Sequence, residues 1–349
     1  MRMLLAAVIL LAQADEKPKT DFSKFTMARE FQWVAKTMTA SPDGKYIWTD
    51  KGTVKVTDWS VINEGKFLKT LVFVEDGKTT VALGATESDG MILYSLPDWK
   101  NLNAGALGGS FVSCDIAKDR KTIAAVGPFQ DAICVVTRWE SSTPAREVYK
   151  GPAMMYVRFV DANRFVTVGK DGTVHLWEVG KDKPVVSAKA CDGEPVCAVI
   201  TPDRKWLFVA GGSAIRRFGT TDLKDDAVPV DKMPTKPALA VSPKSRVLAV
   251  YGDGPCSFYS PETLKLVSTP LGPDATVATV AFAPDESYAA LGEAGERRMT
   301  MVLVADGTKT FEFQTLTPPV AIAVGPKGAW ILQSNKTQTY AYAPPAKKK

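Results

Sequence analysis

A short apolar run ending in a small residue, followed by Pro and a charged turn, recurs along this chain at an almost constant interval, and that recurrence constrains the fold more than any composition. It reads Thr39-Ala40-Ser41-Pro42-Asp43, Val199-Ile200-Thr201-Pro202-Asp203, Ala240-Val241-Ser242-Pro243-Lys244, Ala281-Phe282-Ala283-Pro284-Asp285 and Ala323-Val324-Gly325-Pro326-Lys327. Copies without the Pro stand at Phe73-Val74-Glu75-Asp76-Gly77, Asp115-Ile116-Ala117-Lys118-Asp119 and Phe159-Val160-Asp161-Ala162-Asn163. The landmark positions are 41, 75, 118, 161, 201, 242, 283 and 325, with steps of 34, 43, 43, 40, 41, 41 and 42. A period of this length without helical apolar spacing inside it is the signature of small sheets repeated around an axis.

Within a unit, each segment has strand character. In residues 196–218, Val196 to Ile200 reads as an inner strand, Pro202-Asp203-Arg204-Lys205 as a turn, Trp206 to Ala210 as a second strand and Ala214 to Phe218 as a third. Pro suits the second position of a type I turn because its ring holds φ near −65°, whereas inside a central strand it would remove a ladder donor. Outer fourth strands are expected at Pro184 to Ala190 and Thr308 to Gln314, from their β-branched or alternating character. The expected fold is therefore all-β, a β-propeller of four-stranded blades. Eight blades follow from eight landmarks; seven follow if the second unit belongs to the first. Between Trp59 and Glu75 only one strand, about Lys66 to Val74, fits, so a strand is expected to be missing there. The segment Phe22 to Arg29 is expected to close the ring by pairing with the last unit, Val320 to Tyr342, since an unpaired edge invites aggregation.

The segment GKDGTVHLWE at 169–178, with its Lys170-Asp171-Gly172 hairpin and a strand ending in Trp177 and Glu178, resembles the third strand of a WD repeat. SPDGKYIWTDKGTVKV at 41–56 resembles the preceding half of the same repeat. The Gly-His pair typical of many WD repeats is absent, because His175 is the only histidine and lies on the wrong strand. A buried polar network around such a His is therefore not expected. What remains is packing by Trp177, Trp59 and Trp139 near third-strand ends and by Trp48, Trp206 and Trp330 on second strands, each able to bury roughly 150–250 Å².

Residues 1–14 follow the logic of a secretory signal: Arg2, an apolar run from Leu4 to Ala12 and a small-x-small site at Ala12-Gln13-Ala14. The run is too short to span a bilayer, which takes roughly twenty residues. Cleavage after Ala14 is expected. Residues 15–26 then form an N-terminal linker with the closing strand, 27–343 the propeller, and 344–349 a basic tail ending in Lys347-Lys348-Lys349. Loss of Arg2 takes the formal charge from +5 to +4, spread along the chain in a way that does not suggest a nucleic-acid binder. Five cysteines are too few for a disulfide framework, although Cys191 and Cys197 are close enough in sequence to pair in an oxidising compartment.

A single histidine leaves little room for hydrolytic triads or most metal sites. His175 aligns with Lys55 and is expected to be solvated. No phosphate loop, nucleophile elbow or Cys-x-x-Cys is present; Gly105-Ala106-Leu107-Gly108-Gly109 reads as a loop between blades. The Asp-Gly pairs beginning at Asp43, Asp76, Asp89, Asp171, Asp192, Asp253 and Asp306 read as turns, without the compact acidic run that calcium requires. No cofactor and no metal is expected.

As the resemblance implies, the leading expectation is a monomeric, non-enzymatic interaction module in the periplasm or outside the cell, binding an unknown protein partner, with no nucleic acid and no membrane insertion. If it uses the face common in the family, loops between second and third strands and those leading into inner strands line it. That nominates Asp50, Lys51, Lys170, Asp171, Asp192 and Glu194, with Trp33 as aromatic anchor. The competing expectation is an enzyme or glycan-binding propeller whose central channel uses carboxylate pairs.

Overall fold

The structure is a computed structural model that describes residues 20–345 except 37, 42, 63–69, 76–79, 86–90, 97–99, 102–110, 120, 128–132, 138–144, 150–151 and 231–232. The signal segment 1–14, the Gly105–Gly109 stretch, Trp139 and most of the basic tail fall outside these residues. The described strands form eight four-stranded antiparallel sheets. Apart from 3-10 turns at Phe22–Lys24 and Pro326–Gly328, no helix occurs among the described residues. Counting along the chain, the sheets begin with the strands Met38–Ala40, Thr70–Glu75, Ser113–Ile116, Met154–Phe159, Cys197–Ile200, Ala238–Val241, Val277–Phe282 and Ala321–Val324. Every landmark of the sequence repeat lies at the end of one of these first strands or within two residues of it.

The turn that follows explains why the repeat looks as it does. In the fifth sheet Arg204 N–H donates to Thr201 O and Thr201 N–H to Trp206 O, both at 2.8 Å, so the strands are joined by a tight turn with Pro202 at its second position. The Thr201 hydroxyl also accepts Trp206 N–H at 3.0 Å. Ser242 accepts Val247 N–H at 2.9 Å and Ser41 accepts Tyr46 N–H at 3.0 Å. In these three sheets the landmark residue is small because it is buried, and it is Ser or Thr because its oxygen seals the hairpin. The turn ends in the left-handed region at Arg204 (φ 63), Ser245 (φ 61) and Glu286 (φ 62), where the first sheet uses Gly44 (φ 68). A non-Gly residue there carries a steric cost, and these three side chains are used for other purposes described below.

Where side chains are described, each sheet buries its faces against its neighbours. Between the third and fourth sheets, Ala124, Val126, Val135, Tyr149, Val157, Phe159, Phe165 and Trp177 form one cluster. Trp177 is 1% exposed, stacks on Phe165 at 6.2 Å, and donates its indole N–H to Thr167 Oγ1 at 2.9 Å. Trp48 and Trp330 are likewise buried. Similar clusters join the fourth to the fifth sheet, the fifth to the sixth, the sixth to the seventh, the seventh to the eighth, and the eighth back to the first.

Two details of the strand assignment change. The first sheet does not lack a strand: Ser60–Ile62 pairs with Gly52–Lys55 as its fourth. It escapes a length-based reading because it has only three residues and is reached through a tight turn with Trp59 at φ 56, where Asp58 Oδ1 accepts Ser60 N–H at 2.9 Å. At the N-terminus, the pairing strand is Thr26–Phe31, which joins Thr339–Ala343 in the eighth sheet, so the two ends of the described chain share one sheet. Phe22, expected within that strand, instead lies in the 3-10 turn and inserts its ring beside Tyr288 and Phe313, with centroids at 4.9 and 6.1 Å.

Phe22 is 3% exposed, and it fastens the first described residues to the seventh and eighth sheets. Phe22→Ala is expected to cost about 3 kcal/mol, read as a lower midpoint in urea denaturation with an unchanged far-ultraviolet spectrum of the native state.

Candidate functional site

The sheets have two ends. One carries the turns from first to second and from third to fourth strands. The other carries the hairpins from second to third strands and the links between sheets, and all seven nominated residues lie on this second end.

Between the fourth and fifth sheets, the link after Lys189 docks under the hairpin of the fourth. Ala190 and Cys191 both donate N–H to Gly172 O, at 2.8 and 3.3 Å. Gly172 has φ +82, and a Cβ there would stand 2.1 Å from Cys191 O, so both its conformation and the close approach require glycine. Lys170 and Glu194 bridge hairpin and link as an ion pair at 3.1 Å. Asp171 uses Oδ1 to accept Thr173 N–H at 2.9 Å, and its carbonyl takes Lys189 Nζ at 2.8 Å. Asp192 is exposed.

Trp33, Asp50 and Lys51 form a separate group on the link from the eighth sheet to the first. Asp50 Oδ1 accepts Lys36 N–H at 2.8 Å, Ser334 Oγ accepts Ala35 N–H at 3.0 Å, and Thr339 Oγ1 donates to Trp33 O at 2.9 Å. Lys51 Nζ lies 4.0 Å from Asp50 Oδ2. The indole of Trp33 packs on Phe31, with centroids at 4.8 Å, against the core between the eighth and first sheets. Trp33 and Asp50 therefore fasten the link. Asp192, Glu194 and Lys170 remain on the surface, and among the described residues no hydrogen bond or ion pair joins the two groups.

The sequence reading passed over two apolar residues on this end: Val196, 50% exposed, on the link into the fifth sheet, and Leu316, 66% exposed, on the link into the eighth. Each precedes or follows a buried Pro, Pro195 and Pro319, that anchors its link. An isolated apolar residue beside Pro in a link is a weak signal, because only the fold shows which of them face solvent. The opposite end is tied to itself. Asp203 N–H donates to Ser245 Oγ at 3.1 Å, Lys244 N–H to Glu286 Oε1, and Lys327 N–H to Asp285 Oδ2 at 2.9 Å. Each bond joins equivalent turns of adjacent sheets. Nearby, Arg217 lies over the Trp206 ring at 4.1 Å between two open grooves of about 680 and 780 Å³.

Other sequence-nominated chemistry resolves differently. Cys191 and Cys197 are free thiols, not a disulfide. The Cys197 thiol turns toward the sixth sheet, with Sγ 3.3 Å from Pro237 O, while Cys191 Sγ sits 3.6 Å from Gly193 O. Burial pushes the Cys197 thiol up to about 11. His175 is partly buried rather than solvated, because its Nδ1 meets Ser187 Oγ at 2.8 Å on the fourth strand. The sequence also holds one Asn-Lys-Thr sequon at Asn335, but that residue is 0% exposed and its Oδ1 accepts Thr337 and Gln338 N–H, so it presents no acceptor for a glycan. Three buried carboxylates, Asp115, Glu286 and Glu293, each meet an arginine: Arg204 at 3.0 Å, Arg246 at 3.6 Å, and Arg298. Asp115 lies on a first strand, Glu286 in a turn and Glu293 at the end of a second strand, and among the described residues no group of three His, Cys, Asp or Glu side chains is arranged to hold a metal.

No protein-family model matches the sequence, and no curated protein matches it. Solved structures do match. The computationally designed Ika8 protein superposes with a TM-score of 0.69 at 12% identity, covering 91% of this chain and 98% of that chain. The C-terminal WD40 domain of Sif2 gives 0.64 at 12% identity over 92% and 99%. The β-propeller domain of Myceliophteria thermophila Cps50 (Swd1) gives 0.58 at 13% over 91% and 99%. At such identities the likeness is one of fold: the chain adopts a WD40-type β-propeller fold.

Burial holds the His175 imidazole below its ordinary value of 6.5, with Asp171 opposing the shift. As pH falls below 6.5 the unfolded chain takes up the proton before the folded one, so stability is lost from that pH downward until the folded value is passed. Urea midpoints measured between about pH 7 and pH 5 are expected to fall less steeply in His175→Gln than in the parent.

Proposed function

We propose that this chain is a non-enzymatic protein-interaction scaffold, an eight-bladed propeller exported to the cell envelope or exterior, whose working surface is the end formed by the second-to-third hairpins and the inter-sheet links. The observation that carries the reading is the pair of exposed apolar residues beside charged ones on the working end. On the working end, Leu316 and Val196 stand 66% and 50% exposed on Pro-anchored links, with Asp192 and the Lys170–Glu194 pair beside Val196. Rigidly held apolar residues with a charged rim are the anatomy of an interface. On the other end, turn N–H groups and side chains are engaged with the next sheet.

The carboxylate enzyme reading needs acids that converge without neutralising partners. Each buried acid of the described residues instead has an arginine beside it. Export is supported by Arg2, the apolar run Leu4 to Ala12 and the Ala12-Gln13-Ala14 site. The described residues contain no helix long and apolar enough to cross a membrane.

Expressed with residues 1–14 in a host with a general secretory route, the chain is expected outside the cytoplasm with Asp15 as its first residue by mass spectrometry. In capture from envelope extract, Leu316→Glu and Val196→Glu are each expected to weaken partner retention about tenfold while leaving the thermal midpoint unchanged. Equal retention by the parent and both variants, or turnover of a glycan panel by a parent that captures no protein, contradicts the scaffold reading.

A further inference from the structure

The first strands of the eight sheets are almost without charge. Among their residues only Glu75, Asp115 and Arg158 are ionisable acids or bases of full charge, and Asp115 and Arg158 come from adjacent sheets. Asp115 is 0% exposed; its Oδ2 accepts Phe159 N–H at 2.8 Å and Arg204 Nη1 at 3.0 Å, while its Oδ1 is buried with no donor. Arg204 reaches this carboxylate from the turn of the fifth sheet, past the whole of the fourth. That reach accounts for a non-Gly residue in the left-handed region there.

Arg158 makes all its hydrogen bonds through Nη1, to Ser113 Oγ at 3.1 Å, Cys114 O at 3.0 Å and Val157 O at 2.7 Å. Its guanidinium lies 4.6 Å from the centre of the Tyr156 ring. Tyr156 Oη accepts Ile200 N–H at 2.9 Å, which leaves its own hydrogen to donate. Burial raises the Tyr156 hydroxyl's pKa, and both guanidiniums and Asp115 are near enough to act on it electrostatically. Two arginines thus share one carboxylate, and among the described residues every acceptor bonded to Arg158 is neutral. A partly buried guanidinium without its own counter-ion is costly, and an anion that supplies one removes the cost.

We propose that Arg158, Arg204 and Tyr156 form a binding site, at the turn-bearing end of the inner strands, for a small ligand carrying one carboxylate. Among the described side chains, a monoanion balances the excess of one guanidinium over Asp115. The unused Nε and Nη2 groups of the arginines and the Tyr156 O–H supply donors of the type that hold a carboxylate in charge-assisted bonds. The site lies on the opposite end from Leu316 and Val196, so it stands or falls independently of the scaffold reading.

Sodium acetate is the probe, titrated into the full chain against sodium chloride at equal ionic strength, with the thermal midpoint as readout. Acetate is expected to raise the midpoint beyond chloride. Arg158→Gln is expected to abolish that increment, and Arg204→Gly, which keeps a left-handed turn of the kind Gly44 makes, to weaken apparent affinity about tenfold. If Arg158→Gln does not fold, Arg204→Gly alone decides. No increment with acetate, an increment with inorganic phosphate instead, or the parent response retained in the variants overturns the assignment.

Discussion

The burial of one sheet's faces against the next governs this molecule. A four-stranded sheet of two- to six-residue strands has too little apolar surface to be stable alone, and the described sheets cover one another through clusters such as Phe165, Trp177, Tyr149 and Phe159. The aromatic residues lie where two sheets diverge and a large side chain is needed to fill the gap, which explains why tryptophan does structural work here. The same requirement binds the ends of the chain. Thr26–Phe31 completes the eighth sheet, and Phe22 adds its ring to the core beside it.

Tight sheet-to-sheet packing leaves the loops to do the locking. On one end, the residue closing each turn is drawn toward the next turn, so Ser245 and Glu286 accept conformational strain in return for a hydrogen bond across sheets. On the other end, links are clamped under hairpins at Gly172 and at Asp50. Residues that look like interface candidates by position, Trp33 and Asp50 among them, are consumed in this clamping. The apolar side chains that these clamps leave in solvent are Leu316 and Val196.

The axis shows a third use of the same scaffold. Inner strands are mostly small and apolar because they crowd around a common line, as in Cys197–Ile200 and Ala321–Val324. Placing Asp115 and Arg158 there, with Arg204 brought in from two sheets away, concentrates charge where the rest of the fold avoids it. Such a cluster is costly to build, because each of its charges is drawn out of water.

Much was readable from the chain alone. The turn after the first strand has a local cause, in five units a Pro whose ring presets φ and in three of those a hydroxyl that seals the hairpin, so the recurrence marked the ends of the eight first strands. Short strands such as Ser60–Ile62 escaped because three residues carry no periodicity, and the insertion of Phe22 escaped because it depends on Tyr288 and Phe313, far along the chain. Side-chain roles on the surface were not legible for the same reason. Whether Asp50 faces a partner or caps Lys36, whether Cys197 points at Cys191 or at Pro237, and whether Arg204 meets Asp115 are settled by contacts between segments brought together only when the sheets assemble. Local sequence determined the repeating unit, because turn chemistry and strand alternation act within a few residues; assembly decided the surface and the axis, because their contacts join residues tens to hundreds of positions apart.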